Sequence, residues 1–528
     1  MNCTNSFGTI SEYIQYFKDN INYPRPLAKL FKTDSCYYIY DTGTSKIMNC
    51  NELEYRILEK IINNTMDEID NTEISSEYSK YYEALDNIKN AIDSEHILKA
   101  GNNLEFNSPG HHENLYDMLE NGVRQIVLEL TEKCNLRCGY CIYNEAYTDK
   151  RNFGSQDMTK DIAKKAIDYA GLHGDKDAGI AITFYGGEPL IKFDLIKYCI
   201  GYAQTTIKDR QVRFSMTTNL TLMTEEIAQY LASIKDLSIV CSIDGPKYIH
   251  DSYRKDINGV GSFERAIKGL KILVQALGDS AKDRLVLSMV FGKPYSIEKL
   301  IQIHSFFNKL EWLPSQISKF ITYPSLGNID YKERRERKEK EKINEDDKTK
   351  IFDPLSSWSK DLYFKEIDHN QDIDFFSKVV IEQPLIKIHQ RPIYKDYNES
   401  YSLNGCCVPG SRKLYITTKG DFMVCERIDG SPIIGDVDKG VDKEKVKRIL
   451  VDEFSDATIN DCKNCWASRL CNLCYAQCYT NGKLDMEKKR YNCNSSRDYM
   501  LKNLVFYHKC LESNPKKLEY LGDIKVVV

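Results

Sequence analysis

The stretch Cys134-Asn135-Leu136-Arg137-Cys138-Gly139-Tyr140-Cys141 carries three cysteines at CxxxCxxC spacing. It follows the apolar run Gln125–Thr131, QIVLELT, which reads as a short buried strand whose C-terminal end opens into a loop. Thiolates so close together on a loop can wrap a soft metal centre. A [4Fe–4S] cluster has four irons to ligate, so a cysteine triad leaves one iron free for a substrate or cofactor, unlike the CxxC runs of electron-transfer ferredoxins. Zinc also accepts closely spaced cysteines, and a lone CxxC is common. Two features favour iron and sulfur: no His or Asp follows at ligand spacing, and a denser cysteine set lies near the C-terminus.

The chain has 528 residues, with 73 Lys and Arg nearly balancing 77 Asp and Glu. That length allows about two to four domains, each able to bury a core. A net charge of −4 gives no reason to expect nucleic acid or an anionic membrane surface as partner. No run approaches the ~18 apolar residues of a transmembrane helix. The opening MNCTNSFGTISEYIQYFKDN lacks the basic start and apolar core of a signal peptide. A cytoplasmic location is expected, where metal–sulfur chemistry accounts for 18 cysteines better than disulfides do.

From residue 123 the β–α alternation is regular. Strands are predicted at Gln125–Thr131, Gly179–Tyr185, Gln211–Thr217, Leu237–Ser242, Arg284–Val290 and Ile317–Tyr323. Helices are predicted at Lys160–Tyr169, Phe193–Thr205, Thr224–Ile234 and Ser262–Gln275, with Thr224 as an N-cap. This is an α/β pattern, a partial TIM-like (β/α)6 barrel over residues 123–325 whose active site lies at the strand C-termini. Polar signals gather there: Gly186-Gly187-Glu188-Pro189, Thr217-Thr218-Asn219, and Cys241-Ser242-Ile243-Asp244-Gly245. The two glycines permit close backbone approach to a ligand. Asn219 and Asp244 read equally as cofactor contacts or as turn-formers.

Residues 1–92 form a small α+β unit. A helix at Ser11–Asp19 and an extended arm at Asn22–Leu27 precede a hairpin from Cys36–Tyr40 to Lys46–Met48, then helices at Glu52–Ile62 and Ser76–Ala91. Residues 93–122 read as a linker, with His111 and His112 on a surface loop. Residues 326–403 hold a charged insertion, Lys332–Lys350, and bridging helices. Residues 404–495 form a cysteine-rich domain with Cys406, Cys407, Cys425, Cys462, Cys465, Cys471, Cys474, Cys478 and Cys493, and a hairpin turns at Gly420. A zinc-ribbon pair is the alternative for this region. Residues 496–528 are a C-terminal helix and tail.

The motif CxxxCxφC, with Tyr140 as φ, resembles the signature of radical S-adenosylmethionine enzymes. The C-terminal cysteines resemble the SPASM auxiliary-cluster domain, so the likeness spans roughly Val123–Ser495. The resemblance implies a radical [4Fe–4S] cluster on Cys134, Cys138 and Cys141, S-adenosylmethionine, and two auxiliary iron–sulfur clusters. It implies cofactor contacts from Gly186, Gly187 and Glu188 to the methionine amino group and from Ser242 to the methionine or ribose. Arg254 would pair with the methionine carboxylate, with a surface ion pair as its alternative. Tyr140 would meet adenine or serve packing. The second auxiliary cluster maps onto Cys462, Cys465, Cys471 and Cys493. The first takes Cys425, Cys407 or Cys406, and Cys478 or Cys474. Here the chain departs from the common pattern, since Tyr475 stands where a cysteine is usual and Cys406 and Cys407 are adjacent. An open iron able to take a substrate thiolate would follow.

Glu426 lies near the position of the proton-removing Asp of sulfatase-maturing relatives. It would act as a base if burial raised its pKa toward neutrality, the alternative being an ion pair with Arg427 or Lys419. The N-terminal unit resembles the winged-helix domain that binds leader peptides as an added strand, although a structural cap on the barrel explains it too. The implied activity is thioether crosslinking of a ribosomally made precursor peptide, fed by a flavodoxin- or ferredoxin-like reductant. The close alternative is carbon–carbon crosslinking or formylglycine formation. A zinc-binding scaffold and a nucleic-acid-modifying enzyme fit less well.

Overall fold

The computed structural model describes residues 9–68, 78–101, 105–108, 110–144, 152–324, 353–402, 406–428 and 430–525. The charged segment Lys332–Lys350 lies outside them. The N-terminal unit is a three-stranded antiparallel sheet of β1 (Ala28–Lys32), β2 (Tyr37–Asp41) and β3 (Ile47–Cys50), in that order. Helices Ile10–Asn20 and Glu52–Ile62 start with capping boxes, Thr9 with Glu12 and Asn51 with Glu54. With Tyr78–Glu95 they cover one face of the sheet. Alternation then divides β2 between two cores. Ile39 packs under these helices, whereas Tyr38 and Tyr40 join Phe31 against Tyr363, Leu385 and Leu504. The expected hairpin is present. Strand β1 is an addition, because the lysines of AKLFK conceal its pattern.

The strands of the expected barrel segment are β4 (Gln125–Thr131), β5 (Ile180–Gly186), β6 (Val212–Thr218), β7 (Leu237–Ser242), β8 (Leu285–Val290) and β9 (Ser318–Thr322). They are parallel and adjacent in chain order. Helices Lys160–His173, Phe193–Thr206, Glu225–Ser233 and Phe263–Leu277 connect successive strands as predicted, and Thr224 Oγ1 accepts from Ile227 N–H.

The sheet continues past β4 into the cysteine-rich region. Strand β10 (Leu414–Ile416) runs parallel to β4, pairing Leu414 with Ile126 and Ile416 with Leu128. Antiparallel β11 (Asp421–Met423), β12 (Ile433–Asp436) and β13 (Gly440–Val441) complete a ten-stranded open sheet with β9 and β13 at its edges. The expected six parallel strands are present in order, as part of an open sheet, and hydrogen bonding crosses the division expected at residue 404. One apolar core runs from the parallel strands through Phe422 and Val424 to Tyr475 and Cys478.

Two further expectations change. The C-terminal helix spans Met486–Ser513, so Cys493 lies within it rather than ahead of it. His111 is buried, not on the surface, because Leu115 and Leu119 of the following helix pack into the main core. Its ring meets Ser108 Oγ at 3.0 Å and the Cys407 carbonyl at 3.1 Å, and burial pushes its pKa down to about 4.

The N-terminal hairpin is tied to the cysteine-rich loop. Arg469, between Cys465 and Cys471, donates from Nε to the Thr42 carbonyl at 2.6 Å and from Nη2 to the Asn398 carbonyl. Thr42 Oγ1 donates to the Trp466 carbonyl at 2.7 Å. Arg469→Ala should cost roughly 2 kcal/mol, the loss expected of charge-assisted hydrogen bonds. Urea unfolding should show a lower midpoint with an unchanged slope.

Candidate active site at the strand ends

Backbone contacts hold the cysteine loop between two other strand-end segments. Gly187 N–H donates to the Thr131 carbonyl at 2.8 Å, and Glu188 N–H to the Lys133 carbonyl at 3.0 Å. From the other side, Arg137 N–H reaches the Lys255 carbonyl at 2.7 Å and Gly139 N–H the Tyr253 carbonyl at 3.0 Å. A Cβ on Gly187 would lie 2.0 Å from the Lys133 carbonyl oxygen. Gly186 has φ +130°, and its Cβ would meet the Thr131 carbonyl oxygen at 2.4 Å. The close approach inferred from these glycines is thus made first to the chain's own cysteine loop.

Around the triad, Cys134 Sγ accepts from Leu136 N–H at 3.4 Å. Asn219 Nδ2 lies 4.0 Å from Cys134 Sγ and donates to Asn135 Oδ1 at 2.9 Å. Burial pushes Cys134 up to about 12 and Cys138 to about 11, with the Arg254 charge opposing the rise at Cys138. Each thiol stays protonated until a cationic centre takes it as thiolate. The three cysteines lie within one another's electrostatic reach. Among the described residues no group of His, Cys, Asp or Glu closes on a single metal ion. Three thiols at CxxxCxxC spacing fit a [4Fe–4S] cluster that keeps one iron open.

Asp244 is fully buried just beyond β7 and gathers four donors. Arg254 gives Nε at 2.9 Å and Nη2 at 3.1 Å, Val290 gives its N–H at 2.9 Å, and the Tyr140 hydroxyl also donates. Arg254 is therefore half of a buried ion pair, not a surface one, and it lies 5.4 Å from the Tyr140 ring centroid. Ser262 Oγ donates to the Arg254 carbonyl at 2.7 Å, so it accepts from His250 Nε2 at 3.1 Å. His250 Nδ1 is left to accept from Asp244 N–H at 3.4 Å. Burial, aided by Arg254, pushes His250 down to about 4. Ser242 is buried at the end of β7.

Glu188 bridges β5 to β6. Its carboxylate accepts from Thr218 Oγ1 at 2.8 Å, Asn219 N–H at 2.8 Å and Leu190 N–H at 3.1 Å. Burial pushes it up to about 7 against these bonds.

The cysteine-rich region shows two neighbourhoods. Cys462, Cys465, Cys471 and Cys493 line a cavity of about 460 Å³ together with Cys406. Cys406 also feels Cys407, Cys474 and Cys478, whereas Cys425 is set beside Glu426 at 3.4 Å. Glu426 pairs with Lys413, not Lys419, at 2.8 and 2.9 Å, with Arg427 at 3.7 Å. These cations hold its carboxyl below the usual range although burial raises it, so the condition of a near-neutral pKa is not met. Sequence reasoning missed Lys413, His250 and Ser262, since no motif marks them.

Gly187→Ala should displace the cysteine loop and remove about four irons from anaerobically reconstituted protein, measured by iron and sulfide analysis. His250 titrates near 4 folded against 6.5 unfolded, so its contribution is complete above 6.5 and declines as pH falls. The full effect is ~3 kcal/mol. His250→Gln should flatten the loss of stability seen by urea unfolding between about pH 7 and 5.

Residues 128–307 match the family model of the radical SAM superfamily. The chain is 27% identical over 327 residues to the uncharacterized protein MJ0907 of Methanocaldococcus jannaschii, covering 62% of this chain and 92% of that one. It is 25% identical over 394 residues to the cysteine-type anaerobic sulfatase-maturating enzyme of Clostridium novyi, covering 72% and 94%. The solved structure of native anSMEcpe with bound AdoMet shares the fold, with a TM-score of 0.52 at 17% identity over 76% of this chain and all of that one. The chain is a radical SAM enzyme, dependent on S-adenosylmethionine and an iron–sulfur cluster, with a SPASM-like cysteine-rich C-terminal domain.

Proposed function

We propose that this enzyme oxidises a side chain of a peptide or protein, most simply a cysteine or serine converted to formylglycine. The observation that carries this reading is the similarity to the cysteine-type sulfatase-maturating enzyme, which runs over 94% of that protein. Bound iron–sulfur clusters and S-adenosylmethionine would supply hydrogen-atom abstraction from substrate carbon and a sink for the electron left behind.

The chain's residues divide the remaining work. Cys134, Cys138 and Cys141 hold the radical cluster. Gly186, Gly187, Glu188, Asn219 and Ser242 shape the S-adenosylmethionine site, and Tyr140, Asp244 and Arg254 form its rigid wall. Cys462, Cys465, Cys471 and Cys493 hold one auxiliary cluster. Cys425 and Cys407 or Cys406, with Cys474 or Cys478, hold the other. Glu426, held below the usual carboxylate range by Lys413, stays ionised as that cation's partner beside Cys425. Among the described residues the outer edge of β3 pairs with no strand, which suits addition of a peptide strand from the substrate. A low-potential flavodoxin- or ferredoxin-like protein would supply the initial electron.

A thioether crosslink is the second reading, favoured by the exposed Cys407 beside a crowded thiol set. Anaerobic turnover of a cysteine-containing peptide with S-adenosylmethionine and a reductant separates the two. Formylglycine formation predicts 5′-deoxyadenosine together with loss of the thiol and an aldehyde that a hydrazide captures. A thioether predicts a blocked thiol and no aldehyde. Absence of peptide modification across peptides encoded near the gene would sink both readings.

A further inference from the structure

Lys489, Cys493 and Arg497 recur every four residues on the helix Met486–Ser513 and share one face. Lys489 is 2% exposed. Its ammonium lies 3.9 Å from Cys462 Sγ and 3.7 Å from Cys493 Sγ. Arg497 Nη1 lies 3.8 Å from Cys465 Sγ. The nearby carboxylate of Asp461 is engaged by Arg490 at 2.9 Å. A lysine charge this dry is uphill unless an anion accompanies it, and around Lys489 the closest groups able to carry negative charge are the thiols that line the cavity. The donor set therefore fits a cluster of net negative charge ligated by these cysteines.

We propose that Lys489, seconded by Arg497, raises the reduction potential of the iron–sulfur cluster held by Cys462, Cys465, Cys471 and Cys493 and so makes it an electron acceptor. The inference rests on the auxiliary-cluster assignment given above. Reduction adds one electron, hence one negative charge, to the cluster. A fixed cation and N–H donors at the ligand sulfurs stabilise the reduced form more than the oxidised one. Lys489 is a positioning residue of the redox centre and touches no substrate.

The test is a redox titration followed by electron paramagnetic resonance on anaerobically reconstituted full-length protein, with iron and sulfide counted in parallel. Wild type is compared with Lys489→Met, Lys489→Arg, Arg497→Gln and Cys462→Ala/Cys493→Ala. Lys489→Met should keep its iron and show an about tenfold lower reduced-to-oxidised ratio at fixed ambient potential, about 59 mV for a one-electron couple. Lys489→Arg should stay near wild type, and Arg497→Gln should shift less in the same direction. If Lys489→Met sheds iron, the shift in Arg497→Gln decides. Unchanged potentials in the iron-replete charge-removing variants would overturn the proposal. Full iron in Cys462→Ala/Cys493→Ala would instead overturn the cluster assignment beneath it.

Discussion

Strand β4 is hydrogen-bonded on both sides by parallel strands, and this pairing sets the relative positions of the functional groups. Its register places Val127 against Thr183 of β5 and against Tyr415 of β10. Parallel strands deliver their C-terminal ends to one edge of a sheet. The cysteine triad after β4, the Gly186–Glu188 turn after β5, Asn219 after β6 and Asp244 after β7 therefore meet. Because β10 continues the same sheet, antiparallel β11 carries Cys425 and Glu426 back alongside the start of β10, where Glu426 meets Lys413. Tyr185, near the end of β5, lies within electrostatic reach of both Cys141 and Cys425. A one-residue slip at either pairing would turn these side chains to the wrong face.

Buried charge is compensated locally in both regions. Asp244 has a guanidinium, a backbone N–H and a phenol hydroxyl; Glu426 has Lys413. Removing one partner from such a buried pair costs about 3–5 kcal/mol, far more than the net worth of the pair. Their value is in defining one arrangement. The Asp244 network locks Tyr140 and the segment Tyr253–Asp256, and that segment in turn holds the backbone of the cysteine loop. The polar network and the glycine contacts thus grip the triad from opposite sides.

The N-terminal unit is joined to the rest through one face of its small sheet. One face covers its own helices, and the other stacks Phe31, Tyr38 and Tyr40 on the C-terminal helix and its partners. Arg469 and Trp466 extend this junction to the loop between Cys465 and Cys471. The N-terminal sheet is thus in direct contact with the loop that carries Cys465 and Cys471.

Local patterns were sufficient to read the β–α alternation, the cysteine triad and the polar strand ends, because buried parallel strands are apolar runs and cysteine spacing is a chain-local property. Strand β1 escaped because its lysines interrupt the apolar pattern. His111 was misplaced because its burial comes from the packing of a neighbouring helix, which no local pattern reports. The partners of Glu426, Arg254 and Lys489 were equally hidden. Each comes from a distant strand, a preceding turn or another helix, and its charge acts only at the few ångströms that folding creates. The sequence by itself determined the family, the strand order and the cysteine motifs. Only the tertiary structure decided which carboxylate meets which cation and which thiols share a cavity, since electrostatic pairing depends on distance in space rather than along the chain.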